Sequence, residues 1–371
     1  MYPRPTRFRL ILFIFFMFSS EFSLAARLVP GQGAESFRPC ALFPNGVQDP
    51  SERVYRVSDL QPVLLRCTWQ ASKNPALLAI RDFKVGTRRY FLTVNPDSLL
   101  TRITEASCLS CASVTHESIM QTPYGKAVER LTQEKLKATK KTYFVSAGLK
   151  HDENAALGSV VSADLCPSNK PLDRSFFLDL ERLQNNIPVA LAISGYWLKK
   201  HPKDFAWLKS EIHAQRLNVT WVNHSFFHTY KKEQPAEDNY LLSAKADIRH
   251  EILATERLLI ENGITPSVFF RFPALVSNEK LMNHLKQKML LPVASDAWLA
   301  IGQEPKEGSI ILVHANGNET RGLARFKELV NERKLPLPVF QLEAAPYRTL
   351  ITSHEAPAVP QQRNAGRNRR Q

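Results

Sequence analysis

The second half of this sequence predicts an α/β fold built on a parallel sheet. From residue 160 onward, short apolar runs of strand composition alternate with longer segments of helical periodicity. Strands separated by helices argue for parallel pairing through right-handed crossovers. Five of the runs also end in a residue able to do chemistry: Asp164, His224, Arg271, Asp296 and His314. Active sites assemble at the carboxyl edge of such a sheet, so five endings of this kind in succession are hard to explain as structural accident.

The 371 residues are enough for a sizeable core and two folded units. A hydrophobic share of 44% with 23% charged residues is ordinary for a globular chain. Of the formal net charge of +14, +2 sits in residues 1–26 and +4 in the last eleven, leaving +8 between them. A basic surface favours an anionic polymer or envelope. The interleaved aromatic and basic motifs of nucleic-acid modules are missing, so nucleic acid is not expected as a partner.

Arg4, Arg7 and Arg9 precede nine apolar residues, 10–18, and Ser23-Leu24-Ala25-Ala26 follows. A charged start, a short apolar run and small residues describe a secretory signal peptide over residues 1–26. Nine apolar residues fall well short of the ~20 needed to span a bilayer. An exported protein, periplasmic or secreted, with no stable transmembrane segment is therefore expected. Cysteine usage agrees. Cys40, Cys67, Cys108 and Cys111 predict two disulfides in the N-terminal region, with Cys166 left over. Spacing does not fix the pairing; Cys108 with Cys111 would make a local loop and Cys40 with Cys67 a longer one. A redox CxxC would need a βαβ setting and a zinc knuckle a second pair, and neither is present.

Residues 77–80 and 90–94 read as strands, the second ending in a turn at Asn95-Pro96-Asp97. Residues 27–150 are thus expected to form a small β-rich or mixed domain. A helix over 118–142 would end it, with 134–141 as a solvated charged face. Residues 160–164 form the first buried-type strand, followed by a helix over 175–184 and a strand over 189–193. Pro202 suits the first turn of a helix over 202–216, and a strand over 219–222 leads to His224. Residues 244–262 are amphipathic, with Ile248, Ile252 and Leu259 at helical intervals, Gly263 at the cap and Pro266 beyond. Strands are expected over 267–271, 292–296 and 309–314, with a helix over 278–289. Residues 341–371, rich in proline, glutamine and arginine, read as a disordered basic tail.

His224 and His228 are spaced i, i+4 and can face one point on a helical turn, and neutral imidazole is a common ligand of zinc. The pair alone is a weak signal. Taken singly, Asp296 reads as a helix N-cap, Arg271 as an ion-pair partner and His314 as a turn residue.

Together, their order and spacing resemble the polysaccharide deacetylases of the NodB homology type, over residues 158–335. That family's T-F-D-D-G-P motif corresponds to Ser162-Ala163-Asp164-Leu165-Cys166-Pro167, and its H-[ST]-x-x-H motif to His224-Ser225-Phe226-Phe227-His228. Its R-x-P-x-G appears as Arg271-Phe272-Pro273, its fourth motif as Asp296 before Trp298, and its Leu-x-His as Leu312-Val313-His314. The resemblance implies a distorted (β/α) barrel of about seven parallel strands over residues 151–340. It also implies a metal-dependent hydrolase removing N- or O-acetyl groups from an envelope or extracellular polysaccharide or acetylated amino sugar. In that scheme His224 and His228 bind a divalent metal, zinc by ligand type. Asp164 is the general base, Arg271 pairs with it and tunes it, and Asp296 orients the acid His314.

Those residue types suit the chemistry. A metal polarises carbonyl and water, a carboxylate takes the water's proton, and an imidazole protonates the leaving amine. Leu165 is the departure, standing where the family has a carboxylate metal ligand. Asp164 could itself turn to the metal, another residue such as Cys166 or Asp173 could fill the place, or the site could bind sugar without cutting it. The rival functions are accordingly a carbohydrate-binding protein with a degenerate site and an amidohydrolase acting on a non-sugar C–N bond.

Overall fold

The structure, a computed structural model, describes residues 55–70, 76–133 and 142–346. The expected signal peptide, residues 27–54 of the expected first domain with Cys40, the charged run 134–141 and the tail from 347 lie outside the described residues.

An antiparallel sheet comes first, made of β1 (Val57–Trp69), β2 (Leu77–Val85), β3 (Arg88–Val94), β4 (Thr101–Glu105) and β5 (Leu109–Ser113). Its order is β4-β3-β2-β1-β5. The runs 77–80 and 90–94 lie in β2 and β3. β1 is hidden in the sequence by Pro62, which sits where the β1–β2 register shifts, a place where a missing N–H is tolerated. Cys67 lies opposite Cys111 across the β1–β5 pair and is bonded to it, which excludes both pairings the spacing suggested. Cys108 is also disulfide-bonded. The single helix expected over 118–142 is two, α1 (His116–Met120) and α2 (Pro123–Thr132). Pro123 starts the second, and the Thr122 side chain caps it by accepting from Gly125 N.

After the short β6 (Phe144–Val145) the α/β part begins. It runs β7 (Val160–Leu165), α3 (Arg174–Glu181), β8 (Ile187–Ile193), α4 (Gly195–Lys200), α5 (Pro202–His213), β9 (Leu217–Asn223) and α6 (Ile248–Glu261). There follow β10 (Phe269–Phe270), β11 (Val276–Ser277), α7 (Glu279–Gln287), β12 (Leu291–Pro292), β13 (Ala297–Trp298), β14 (Ile310–His314) and α8 (Thr320–Asn331). The helix expected from residue 244 starts at Ile248 because the Asp247 carboxylate caps it through His250 N. β6 pairs with β11. The other seven strands form one sheet in the order β12-β10-β9-β8-β7-β14-β13, parallel throughout.

Only residues 293–296 separate the two edge strands β12 and β13, so the sheet must curl until its edges approach. The seam is stitched by an incoming segment. Leu149 N donates to Pro292 O at 2.9 Å, and Ala294 N to Leu149 O at 2.7 Å. On the other side Ile310 N of β14, the strand next to the β13 edge, reaches Lys150 O at 3.3 Å. The result is a distorted (β/α) barrel preceded by a small β domain.

Strand alternation sorts the side chains into two layers. Val161, Ala163 and Leu165 of β7 join Val189, Leu191 and Ile193 of β8 in an outer apolar layer packed with Phe176, Phe205 and Phe326. Ala190, Ala192, Val222 and Phe269 belong to a second cluster that also takes in Leu78, Ile80, Phe83 and Leu92 of the antiparallel sheet. That sheet and the barrel therefore share one core. No helix among the described residues is long and apolar enough to cross a membrane.

Candidate active site

Asp164 and Leu165 are adjacent in β7 and face opposite ways. Leu165 is fully buried in the outer layer. Asp164 points into the barrel, where Arg271 Nη1 donates to its Oδ1 at 2.6 Å and to Ser162 Oγ at 2.9 Å. Arg271 Nη2 donates to Ala294 O at 3.2 Å. Two strands lie between β10 and β7 in the sheet, so this ion pair forms only because the sheet curls. Burial pushes the Asp164 carboxyl up, but the positive charge of Arg271, joined by His224 and His314, outweighs it and holds the group below its ordinary value.

His224 follows β9, and the segment to His228 is a loop rather than a helical turn, with Ser225 at φ 64° and His228 at φ 50°. Asn223 Oδ1 accepts from Ser225 N at 3.0 Å. Glu251 Oε2, from α6, accepts from Phe226 N at 2.6 Å and Phe227 N at 2.8 Å. The loop also closes on α4. A Cβ on Gly195 would lie 2.2 Å from Phe226 Cδ2, so only glycine permits that approach.

The ring of His224 is fully buried, and its Nδ1 lies 2.8 Å from Arg271 O. A carbonyl can only accept, so Nδ1 carries the proton and the neutral ring presents an Nε2 lone pair to the site. That Nε2 is 3.4 Å from Cys166 Sγ and 3.5 Å from Asp164 Oδ2. His228 stands 4.7 Å away, ring to ring, and its Nε2 is buried with no hydrogen-bond partner. Burial lowers the His224 pKa, but Asp164 and then Cys166 raise it above the ordinary imidazole value.

His314 ends β14 directly beside Asp164 in register. Its Nδ1 lies 2.7 Å from Glu319 Oε2, which also accepts Trp298 Nε1 at 3.1 Å. Burial pushes the His314 pKa down, but hydrogen bonds to Cys166 and Glu319 and the charges of Cys166 and Asp164 hold it well above the ordinary value.

Asp296 does not take the orienting role that the resemblance implied. The register pairs Ala297 with Ile311, so Asp296 lies at the start of β14, four residues or ~13 Å from His314. Its carboxylate instead binds His151 Nδ1 at 2.8 Å, Ser309 Oγ at 3.2 Å and Ile310 N at 3.1 Å. The strand expected over 292–296 stops at Pro292, and residues 293–296 cross the seam to the opposite edge. The strand expected over 267–271 likewise shortens to Phe269–Phe270, leaving Arg271 just past its end.

Three contributors were not assigned from the sequence. Glu319 stands five residues beyond His314, Glu251 sits within an amphipathic helix, and Cys166 is a free cysteine only 9% exposed. The ligand atoms of Cys166, His224 and His228 lie within 4.8 Å of one another, as do those of Asp164, Cys166 and His314. Burial pushes the Cys166 thiol up, but His228 and His224 outweigh it and hold it well below the ordinary value. Strand period is the signal that could have found Cys166, two residues on from inward-facing Asp164.

The rim beside His228 is aromatic. Tyr240 packs edge-on against its ring at 5.7 Å and lines a cavity of about 230 Å³ together with Phe227, His250 and Lys231. Phe227, Tyr230 and Tyr196 expose 49%, 58% and 39% of their surface.

No family model matches the sequence. Among solved structures, the chain is similar to a family 4 carbohydrate esterase from Bacillus anthracis, at 18% identity and TM-score 0.39, covering 61% of this chain and 92% of that one. It is also similar to a family 4 carbohydrate esterase from Bacillus subtilis, at 11% identity and TM-score 0.39, covering 60% and 87%. A family 4 pseudoenzyme from Bacillus anthracis is similar at 12% identity and TM-score 0.38, covering 55% and 70%.

Proposed function

We propose that this chain is an exported, metal-dependent deacetylase that hydrolyses N- or O-acetyl groups of an envelope or extracellular polysaccharide. Residues 1–26 serve as its signal peptide, 151–340 as its catalytic barrel and 27–150 as an N-terminal domain with no assigned chemistry. The observation that carries the reading is the meeting of three functions at one end of the sheet. They are a buried carboxylate fixed by Arg271, an imidazole backed by Glu319, and two further imidazoles of which one ring nitrogen is buried without a partner.

A buried, unpaired ring nitrogen is costly unless something occupies it. His228 Nε2 next to the His224 lone pair therefore fits a divalent cation, with His224 and His228 as ligands. Such a cation supplies Lewis acidity, polarising the acyl carbonyl and making water nucleophilic at neutral pH. Arg271 occupies Oδ1 of Asp164, keeping the group ionised and leaving Oδ2 to take the proton of the attacking water. Glu319 holds the His314 Nδ1 proton, so Nε2 is the atom that donates to the departing amine or alkoxide. One proton enters Asp164 and one leaves His314, and the products are acetate and the free amine or hydroxyl. The aromatic rim offers amphipathic faces for sugar rings beside this centre.

The test is acetate release from N-acetylated chito-oligosaccharides and peptidoglycan, run beside elemental analysis of the wild type and of His224→Ala/His228→Ala. Near one equivalent of metal, lost in the double variant, with acetate released by the wild type alone, is expected. Glycan binding by a wild type that takes up no metal after reconstitution and releases no acetate would instead make this a carbohydrate-binding protein.

A further inference from the structure

We propose that Cys166 is the third protein ligand of the metal site, giving a centre of one thiolate and two imidazoles. The inference rests on the hydrolase reading above and adds the identity of the donor set.

Strand geometry supplies the first argument. Ser162 and Asp164 face into the barrel, where both meet Arg271, while Ala163 and Leu165 lie in the outer layer. The next residue to face inward is 166. Leu165 therefore does not project a leucine into the site; its side chain belongs to the packing between sheet and helices. Besides Asp164, the donor that reaches the site here, one residue past the strand's end, is the sulfur of Cys166.

Placement is the second argument. Sγ lies 3.4 Å from His224 Nε2, and the set of Sγ and the two ring nitrogens spans no more than 4.8 Å. His228 Nε2 is buried and unpartnered beside it, and Cys166 is in no disulfide. Asn316 Nδ2 donates to Cys166 O at 2.8 Å, fixing the backbone that carries the thiol. Of the two carboxylates that could compete, each has one oxygen bonded elsewhere, and Asp164 Oδ2, 3.5 Å from His224 Nε2, is the oxygen the base requires. Asp164 Oδ1 holds Arg271, and Asp173 Oδ2 accepts Gly317 N at 2.6 Å. If Cys166 is the ligand, Asp164 stays free to act as base.

Ligand chemistry is the third. Three protein donors with one open position are the usual catalytic zinc arrangement, and mixed sulfur and imidazole sets occur among them. Thiolate also selects against magnesium, calcium and manganese, which take oxygen donors. The site should therefore prefer zinc or cobalt(II).

The experiment strips the full-length mature protein with chelator under reducing conditions and reloads it with zinc or cobalt(II). One equivalent should bind, and the cobalt form should show an intense near-ultraviolet sulfur-to-cobalt charge-transfer band. Zinc should also shield Cys166 from iodoacetamide. Cys166→Ser should lose the band and weaken zinc binding by more than the ~10–100-fold that losing an outer-shell partner costs. Cys166→Asp should keep the metal without the band, which guards against a variant that merely fails to fold. One full equivalent bound with no thiolate band and no protection of Cys166 would overturn the proposal while leaving the hydrolase reading standing. A wild type that binds neither metal would overturn both.

Discussion

Glu319 Oε2 holds His314 Nδ1 at 2.7 Å and Trp298 Nε1 at 3.1 Å, so one carboxylate oxygen fixes both the ring and the wall beside it. An imidazole that must donate from Nε2 needs its other nitrogen held as a donor, and that is what this contact provides. Glu319→Gln should therefore lower kcat for acetate release by about 100-fold, the lower end of what general acid catalysis contributes, with little change in KM. Asp296→Asn is the contrasting variant. Its carboxylate serves His151 and the start of β14, so kcat should stay near that of the wild type while stability falls. A loss of kcat in Asp296→Asn matching that in Glu319→Gln would contradict the assignment.

The antiparallel sheet is tied to the barrel by a fully buried ion pair. Arg81 of β2 reaches Glu256 of α6 through Nε at 2.6 Å and Nη2 at 2.8 Å, and its Nη1 donates to Lys288 O at 2.9 Å. Neither side chain is more than 1% exposed. Arg81→Met strands the Glu256 charge and should cost about 3–5 kcal/mol in urea unfolding. Arg81→Met/Glu256→Met should recover most of that loss, because two apolar side chains leave no buried charge behind. Since the sheet and the barrel share one apolar cluster, both variants should still unfold in one transition. Separate melting of the sheet would show that the two parts are independent.

How much could be read in advance depended on whether a feature was local. His224 and His228 are carried by five consecutive residues, and the strands β7, β8 and β9 announce themselves by apolar runs long enough to be bounded. The pairing of Asp164 with Arg271 was implied by the family resemblance alone, since the order of the strand endings does not say which of them meet. Asp296 failed because its position depends on where a two-residue strand begins. Residues 292–296 look like one strand ending in aspartate, yet they are the crossing between opposite edges of the curled sheet. Glu319 and Glu251 were invisible because a carboxylate on a loop or helix shows its role only through the partner that folding brings to it. β1 was obscured by Pro62, which removes one hydrogen-bond donor without ending the strand. The helical setting expected for the two histidines failed for a similar reason. The i, i+4 spacing is satisfied equally by a loop whose residues adopt positive φ.

That loop depends on one distant carboxylate. Glu251 is 6% exposed and accepts both Phe226 N and Phe227 N, two of the three amides between the histidines. Without it, two backbone donors lose their partner and the loop is free to move the histidines that flank them. Outer-shell partners of this kind typically support metal affinity by ~10–100-fold, and Glu251→Ala should weaken zinc binding by that factor in competition with a chromogenic chelator. Glu251→Gln keeps one side-chain acceptor and should retain much of the affinity. Gly195→Ala attacks the same loop from the other side, since its Cβ would meet Phe226 Cδ2 at 2.2 Å. It should lose metal to a similar degree while Asp164 and His314 keep their partners. Unchanged zinc affinity in both Glu251→Ala and Gly195→Ala would mean that the histidines hold their geometry without the loop's supports, and that the ligand set is anchored through His224 and Arg271 O alone.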